Sequence, residues 1–507
     1  MTPPFKCCDV HDVGGFTNPL KFMDQDYQKL LQKSLSSKEL YTDELFPPNS
    51  RSIGDMSHKQ NKIDYSQVVW KRPSELVTNP CFIVDGVSRF DYKQGHLGNC
   101  WFLASVGGLT FQKDITNQVI PVEQSFSKNY VGIFQFKFWR FGEWIDVVID
   151  DLLPTFNEKL VFVHPKTSNE FWPALLEKAY AKVCGSYADL DSGRRSEAML
   201  DFTGGVHLHF ALNEAPAYLW NIMERATRAQ SLICSGTYNG EPHAILPPSG
   251  IVSGHAYTVT GVSKVISNRN PVKLVRLLNP WGRKEWTGDW SDKSPLWNTV
   301  SGKDNKKCHE DLDNGEFWMS VKDFNKFFKS LDICCLSPDF LDRSSGFNWK
   351  SQRSIGEWTE STAGGSMKDL DTFWKNPQFR LMIEELNEAC PHKDAENTVV
   401  SLIQNHKKRH RKDQKHYNIG FYVFEMKCDP VKIEPGKGEQ GKAFDRTKPV
   451  AESFAYQREV MKFFRLEPGE YLIVPCTENP GETSSFVLSI FSKHETHFEI
   501  FEGGDHL

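Results

Sequence analysis

The sequence lacks the marks of several protein classes. No apolar run among its 507 residues approaches the roughly 20 needed to span a bilayer. The N-terminus, Met1-Thr2-Pro3-Pro4-Phe5-Lys6, shows no apolar core of the kind a secretory signal requires. Twelve cysteines are scattered along the chain and none forms a C-x-x-C pair. A disulfide scaffold would be shorter and denser in cysteine, so a reducing, cytoplasmic setting is expected. The net charge of -5 is small. A protein that tracks phosphates is normally basic, so nucleic acid is not an expected partner. The sequence contains no G-x-S-x-G, no H-E-x-x-H and no Walker loop. His207 and His209 alternate on a probable strand, but no cysteine or histidine pair nearby completes a zinc site.

What is present points to large, well-filled cores. Hydrophobic residues make up 39% and aromatic residues 13%. The length is too great for one core and suggests two to four domains. Residues 24–36 (DQDYQKLLQKSLS) predict a short amphipathic helix with Tyr27, Leu30, Leu31 and Leu35 on one face and Asp24 as N-cap. From Trp70 to about Ser192 helix and strand patterns mix. The apolar segment CWFLASVGGLTF predicts one buried helix and FWPALLEKAYAKV another; Gly142-Glu143 marks a hairpin between two strand-like runs. From about Arg194 the pattern turns mostly to strands. After Trp349 come short apolar runs (QFRLMI, NTVVSLIQ, NIGFYVFEM, GEYLIVP, SSFVLSIF, THFEIF) separated by polar turns, the signature of a β-sandwich of about 150 residues. Glu467-Pro468-Gly469-Glu470 fits a type II turn. The basic run His406 to Lys412 reads as a solvated loop, or else as a membrane-surface or nuclear-import patch.

The chemistry lies in three separated segments. Cys100 follows Gln94-Gly95-His96-Leu97-Gly98-Asn99, where a glycine-containing loop meets an apolar helix. A thiol at a helix N-terminus faces unpaired N–H groups and the positive end of the dipole, which favours thiolate. The same N–H groups, with the Gln94 amide, suit a developing oxyanion. A thiolate nucleophile needs a histidine to take and return protons. His255 lies 155 positions on, in the strand-like run Gly254-His255-Ala256-Tyr257. Asn279 follows after 24 more, in Leu278-Asn279-Pro280-Trp281-Gly282. An asparagine amide oxygen can accept the imidazole N–H and fix its tautomer, and a neighbouring indole such as Trp281 can shield that bond from water. Cys, then His, then Asn at these separations is the chain order of papain-like proteases.

With QGHLGNCWF, GHAYTVTG, LLNPWG, DNGEFWMS, WKRP (70–73), FWPALLEKAYAK and DFTGG, the chain resembles the protease core of the calpain family, nearest to its tissue-restricted vertebrate members. STAGG, DTFWKNPQF and LEPGEYLIVPC extend the likeness through the C-terminal region. The resemblance implies an α+β fold: a papain-like two-lobed cysteine protease core followed by a C2-like antiparallel β-sandwich. The implied divisions are an N-terminal anchor over 1–45, a Cys lobe over 46–193, a His/Asn lobe over 194–338 and the sandwich over 349–507. The implied activity is calcium-regulated limited proteolysis of protein substrates through Cys100, His255 and Asn279, with Gln94 and Trp281 in support. The alternative is a catalytically silent, Ca²⁺-responsive scaffold of the same fold.

The resemblance also implies two Ca²⁺ ions, one per lobe. The first would be held by the carbonyls of Val84 and Gly86 and the carboxylates of Asp91 and Glu170. The second would use Glu285, Asp292, the carbonyl of Leu312, Asn314 and Glu316. Oxygen-only ligands suit a hard cation. The family pattern leads to aspartate at 314; Asn314 removes one negative charge, so a weaker second site is expected. Arg89 and Glu316 resemble a pair that links the lobes. No EF-hand loop is present: Asp189–Gly193 and Asp311–Gly315 place glycine one position early and lack the twelfth acidic residue. Pairing with an EF-hand small subunit is therefore not expected, whereas peripheral contact with membrane phospholipid is allowed by the basic run.

Overall fold

The computed structural model describes residues 13–59, 63–167, 169–238, 244–245, 249–302, 308–309, 312–336, 349–384, 396–405, 408–426 and 448–501. The chain divides into two compact units. One comprises Pro19–Leu336 with Arg409–Lys412; the other comprises Met1–Asn18, Ser337–Lys408 and Asp413–Leu507.

In the first unit the helix Cys100–Leu109 is buried along its whole length. Its apolar sequence has no polar face to give to water, so it can only be a core helix. It packs on Trp172–Cys184, where Phe102 stacks on Tyr180 at 4.6 Å, and on Arg195–Thr203. The expected hairpin forms between Ile133–Arg140 and Glu143–Asp150; Phe141 and Gly142, both at positive φ, make its two-residue turn. The helix Tyr27–Ser37 lays Tyr27, Leu30, Leu31 and Leu35 against Val131, Ile133 and Val148 of this layer. Its N-cap is Asp26, which accepts from Lys29 N at 3.0 Å, rather than Asp24. Asp24 sits at φ 60° in a preceding 3₁₀ turn and cannot offer the extended backbone of a cap.

The remainder of the unit is built on a six-stranded antiparallel sheet. Its order is Glu316–Ser320, Asn270–Leu278, Ala256–Ser267, Leu232–Thr237, Phe328–Cys335 and Val206–Ala211. The helix Cys100–Leu109 lies on the strand Ala256–Ser267 of this sheet. Thr258 Oγ1 donates to Ala104 O at 2.7 Å, and a Cβ on Gly107 would come within 2.4 Å of that hydroxyl. Glycine inside a helix costs about 1 kcal/mol relative to alanine. Here it allows the approach that carries the start of the helix to the start of the strand.

The second unit is a sandwich of two antiparallel sheets. One holds Lys350–Trp358, Ser484–Ser492, Thr398–Asn405 and Glu459–Phe464; the other holds Ala451–Tyr456, Asn418–Met426, Gly469–Thr477, Phe379–Ile383 and Thr496–Ile500. Val400, Leu402, Leu488 and Ile490 of the first sheet and Phe421, Val423, Ile473 and Leu381 of the second form its shared core. The type II turn at Glu467–Glu470 does not form. Gly469 has φ 158° and opens a strand, far from the value near +80° such a turn requires.

Candidate active site

Cys100 is the first residue of its helix, preceded by Asn99 with φ −106° and ψ 29°. The loop before it is fixed from several sides. A Cβ on Gly95 would lie 1.9 Å from Phe162 O, so only glycine fits there. Gly98 N donates to Asp191 Oδ1 at 2.6 Å. Asn99 Nδ2 donates to Glu177 Oε1 at 2.6 Å, and Val163 N donates to Glu177 Oε2 at 2.8 Å. Glu177 is wholly buried, and burial pushes its carboxyl up to about 8 against those two donors. Gln94 Nε2 donates to Leu97 O at 2.6 Å, which leaves its other N–H for the cleft.

His255 stands just ahead of the strand Ala256–Ser267, after Gly254 at φ 58°. Asn279 follows the neighbouring strand, anchored by its N–H to Gly315 O at 2.8 Å. Strand pairing therefore sets the two side chains together: His255 Nε2 lies 2.9 Å from Asn279 Oδ1. That oxygen also accepts Trp281 N at 3.0 Å, while Asn279 Nδ2 donates to Lys284 O at 3.1 Å. The amide is thus oriented with oxygen towards the ring, and Nε2 carries the hydrogen. The Trp281 ring lies 4.8 Å from the imidazole, and His255 and Asn279 are 2% and 0% exposed.

Cys100 is linked to the residue after His255, because the Ala256 backbone N–H favours its thiolate. Burial pushes the Cys100 thiol up; the Ala256 N–H, the Arg195 charge and the helix-start N–H groups of Trp101 and Cys100 oppose it. The sequence favours thiolate from the helix terminus alone. In the folded protein desolvation outweighs that field, so the thiol depends on a partner to lose its proton.

The residues that the family resemblance implies as calcium ligands fall in two places. Around 84–91, Val84 N donates to Glu170 Oε1 at 2.7 Å, and Ser88 N and Trp172 Nε1 donate to Asp91 Oδ2 at 2.6 and 3.2 Å. The loop turns through Asp85 and Gly86 at φ 54° and 93°. Burial and the neighbouring Asp91 push the Glu170 carboxyl up to about 7, and burial also raises Asp91. In the second place, Gly315 N donates to Glu285 Oε1 at 2.7 Å, and burial and Asp313 raise Glu285. Asn314 Oδ1 accepts from Glu316 N at 2.8 Å, and Asn314 N donates to the carbonyl of Leu312 at 2.8 Å. Asp292 lies with Glu285 along one cleft wall. Glu316 forms a two-point pair with Arg89, at 2.9 and 3.0 Å. Among the described residues no three His, Cys, Asp or Glu side chains converge as a metal cluster. Either place would need backbone carbonyls among its ligands.

The chain matches the family described as calpain family cysteine protease over residues 41–335, and calpain large subunit, domain III, over 354–491. It is 42% identical to the calpain-1 catalytic subunits of Homo sapiens and Macaca fascicularis, over 95% of this chain and 68% of each relative. It is 39% identical to the calpain-2 catalytic subunit of Bos taurus, over 97% of this chain and 71% of that one.

The chain belongs to the calpain family.

It is accordingly a cysteine endopeptidase acting on protein substrates, with a papain-like core and the C2-like sandwich of calpain domain III. Several supporting residues of this calpain were not singled out from sequence. Glu177 shares its helix with Lys178 and Lys182, so its inward position is not marked by the local pattern. Asp191 lies in Asp189–Gly193, a stretch that imitates an EF-hand loop without completing one, and its partners His58 and Lys59 are remote in sequence. His207 Nε2 and His209 Nδ1 both meet Asp332 Oδ1, at 3.0 and 2.8 Å, so the alternating histidines serve a buried carboxylate. The basic run is not simply solvated. Residues Arg409–Lys412 group with the protease unit, and Arg411 pairs with Glu197 at 2.8 Å and lies 4.8 Å over the Trp101 ring. His406 and Lys407 lie outside the described residues.

Proposed function

We propose that this calpain cuts its protein substrates at limited sites through Cys100, His255 and Asn279, and that Ca²⁺ regulates it. The single observation carrying this reading is the oriented His255–Asn279 pair under Trp281, with the Cys100 thiol against the adjoining Ala256 N–H. With Nε2 holding its hydrogen against Asn279, Nδ1 is the nitrogen that takes the Cys100 proton. The thiolate attacks the scissile carbonyl, and the oxyanion is met by the Cys100 N–H and the Gln94 amide. The C–N bond breaks as the imidazolium returns the proton to the leaving amine. Water, deprotonated by His255, then hydrolyses the thioester and frees Cys100.

The donor chemistry of both carboxylate groups fits a hard divalent cation. Asp91 raises the proton affinity of Glu170, and Asp313 that of Glu285; a divalent charge would relieve both repulsions. Val84, Gly86, Asp91 and Glu170 would hold one ion. Glu285, Asp292, Leu312, Asn314 and Glu316 would hold the other, more weakly for want of a charge at 314. The two-point contact with Arg89 leaves Glu316 further lone pairs for a cation. When bound, the ions supply positive charge that biases the lobes towards the aligned arrangement. Asp91→Ala and Glu285→Ala are each expected to raise the Ca²⁺ needed for half-maximal casein cleavage by about tenfold, the loss of roughly 1.4 kcal/mol of differential binding. An unchanged requirement in both variants would sink the assignment.

A further inference from the structure

Beside the catalytic residues lies a cleft of about 870 Å³ whose charge is of one sign. Its lining includes Lys59, Lys93 and Arg283, together with His58, His96 and His164, and no aspartate or glutamate among the described residues. Arg283 also borders the neighbouring cleft of Glu285, Asp292 and Asp313 without pairing with them among the described residues, and the carboxylate that contacts this wall is Asp191. It is already shared: it pairs with His58 at 2.7 Å, with Lys59, and with the Gly98 N–H. Lys93 and Arg283 have no ion-pair partner among the described residues. The Lys93 stem runs along Gly282, 3.4 Å from where a side chain there would begin. Its charge is felt by Lys166, which burial and Lys93 together pull below the usual ammonium range. Like charges gathered along a cleft raise the local concentration of the opposite charge, an effect that salt screens.

The position of the cleft decides what it would select. One wall is the segment Gln94–Leu97 that leads into Cys100; the other carries Trp281, which overlies the imidazole that hands a proton to the leaving amine. The cleft therefore receives the part of the substrate on the leaving-amine side of the scissile bond. We propose that Lys93 and Arg283 make this cleft a selector for acidic residues in the substrate segment C-terminal to the cleaved bond. The inference rests on the triad assignment above, because that assignment tells which side of the bond the cleft serves.

The test is a set of quenched fluorescent peptides with one common acyl half and leaving halves rich in Glu and Asp, in Gln and Asn, or in Lys. The whole 507-residue chain is assayed with Ca²⁺. The acidic peptide is expected to exceed the neutral one by about tenfold in kcat/KM, and the gap should narrow as salt rises from 50 to roughly 500 mM. In Lys93→Gln and Arg283→Gln the acidic-to-neutral ratio should fall, and in the Lys93→Glu/Arg283→Glu double variant it should invert in favour of the Lys peptide. The single variants guard against a double variant that fails to fold. Equal cleavage of the three peptides by the native protein, or a ratio unmoved in the single variants, would overturn the selector while leaving the triad standing. Failure to cleave any peptide would overturn the triad assignment itself, and the selector with it.

Discussion

His255→Ala is expected to lower kcat for casein or peptide hydrolysis by roughly 10²- to 10⁴-fold, the range supplied by a positioned general acid–base. Two functions are lost together. The imidazole no longer takes the Cys100 proton, and the leaving amine no longer receives one. The variant should also change the chemistry of the thiol in the absence of substrate. Burial holds the Cys100 thiol above its ordinary range, and the Ala256 N–H does not overcome that. Paired with an imidazolium, the thiolate is available at neutral pH; alone, it forms only as pH climbs past a raised pKa. Alkylation by iodoacetamide should therefore be fast near pH 7 in the native protein. In His255→Ala it should be slow at pH 7 and recover only in alkaline solution. An alkylation profile that the substitution leaves in place would mean that some other group activates Cys100.

Asp43→Ala is expected to destabilise the protease unit by about 3–5 kcal/mol, with a fall in its thermal midpoint of roughly 10 °C. The reason lies in the helix Trp172–Cys184. Lys178 and Lys182 sit one turn apart on it, and the side chains of both are wholly buried. Lys178 pairs with Asp150 and donates to Leu152 O at 2.6 Å. Lys182 donates to Asp43 Oδ2 and to Val148 O, each at 2.6 Å, and to Gln25. Burial and the neighbouring Lys178 pull the Lys182 ammonium below its usual range, and Asp43 is what opposes them. Removing Asp43 leaves a charge in the core without its counter-ion. Replacing both partners, as Asp43→Leu/Lys182→Met, should recover most of the loss, because no unpaired charge remains. Equal destabilisation in the single and double variants would show that the site depends on shape rather than on charge.

These buried lysines mark the limit of what sequence patterns convey. In FWPALLEKAYAKV the apolar spacing gives the helix, but nothing local tells that its two lysines point inward. Their partners Asp43 and Asp150 are 139 and 28 positions away. The helix Cys100–Leu109 is legible because an all-apolar segment has one possible environment. The six sandwich strands read from apolar runs are present, whereas Lys350–Trp358, Ala451–Tyr456 and Glu459–Phe464 escape a reading by apolar run, since each alternates or carries charge. The segments proposed as catalytic stand out by their motifs and chain order. What the motifs could not give is the clamp beneath them: Glu177 under Asn99, Asp191 under Gly98, and Thr258 against Ala104. Each of these contacts spans more than 70 residues, and each is visible only after the chain has folded.

On the proposed function, one thiol does the chemistry and Ca²⁺ governs it. Its most direct test is hydrolysis of unfolded casein by the purified chain, with chelator and with millimolar Ca²⁺, beside Cys100→Ser. Cleavage that requires Ca²⁺ and disappears in the variant is the predicted result. Cleavage that persists in Cys100→Ser, or that proceeds equally well in chelator, would contradict it.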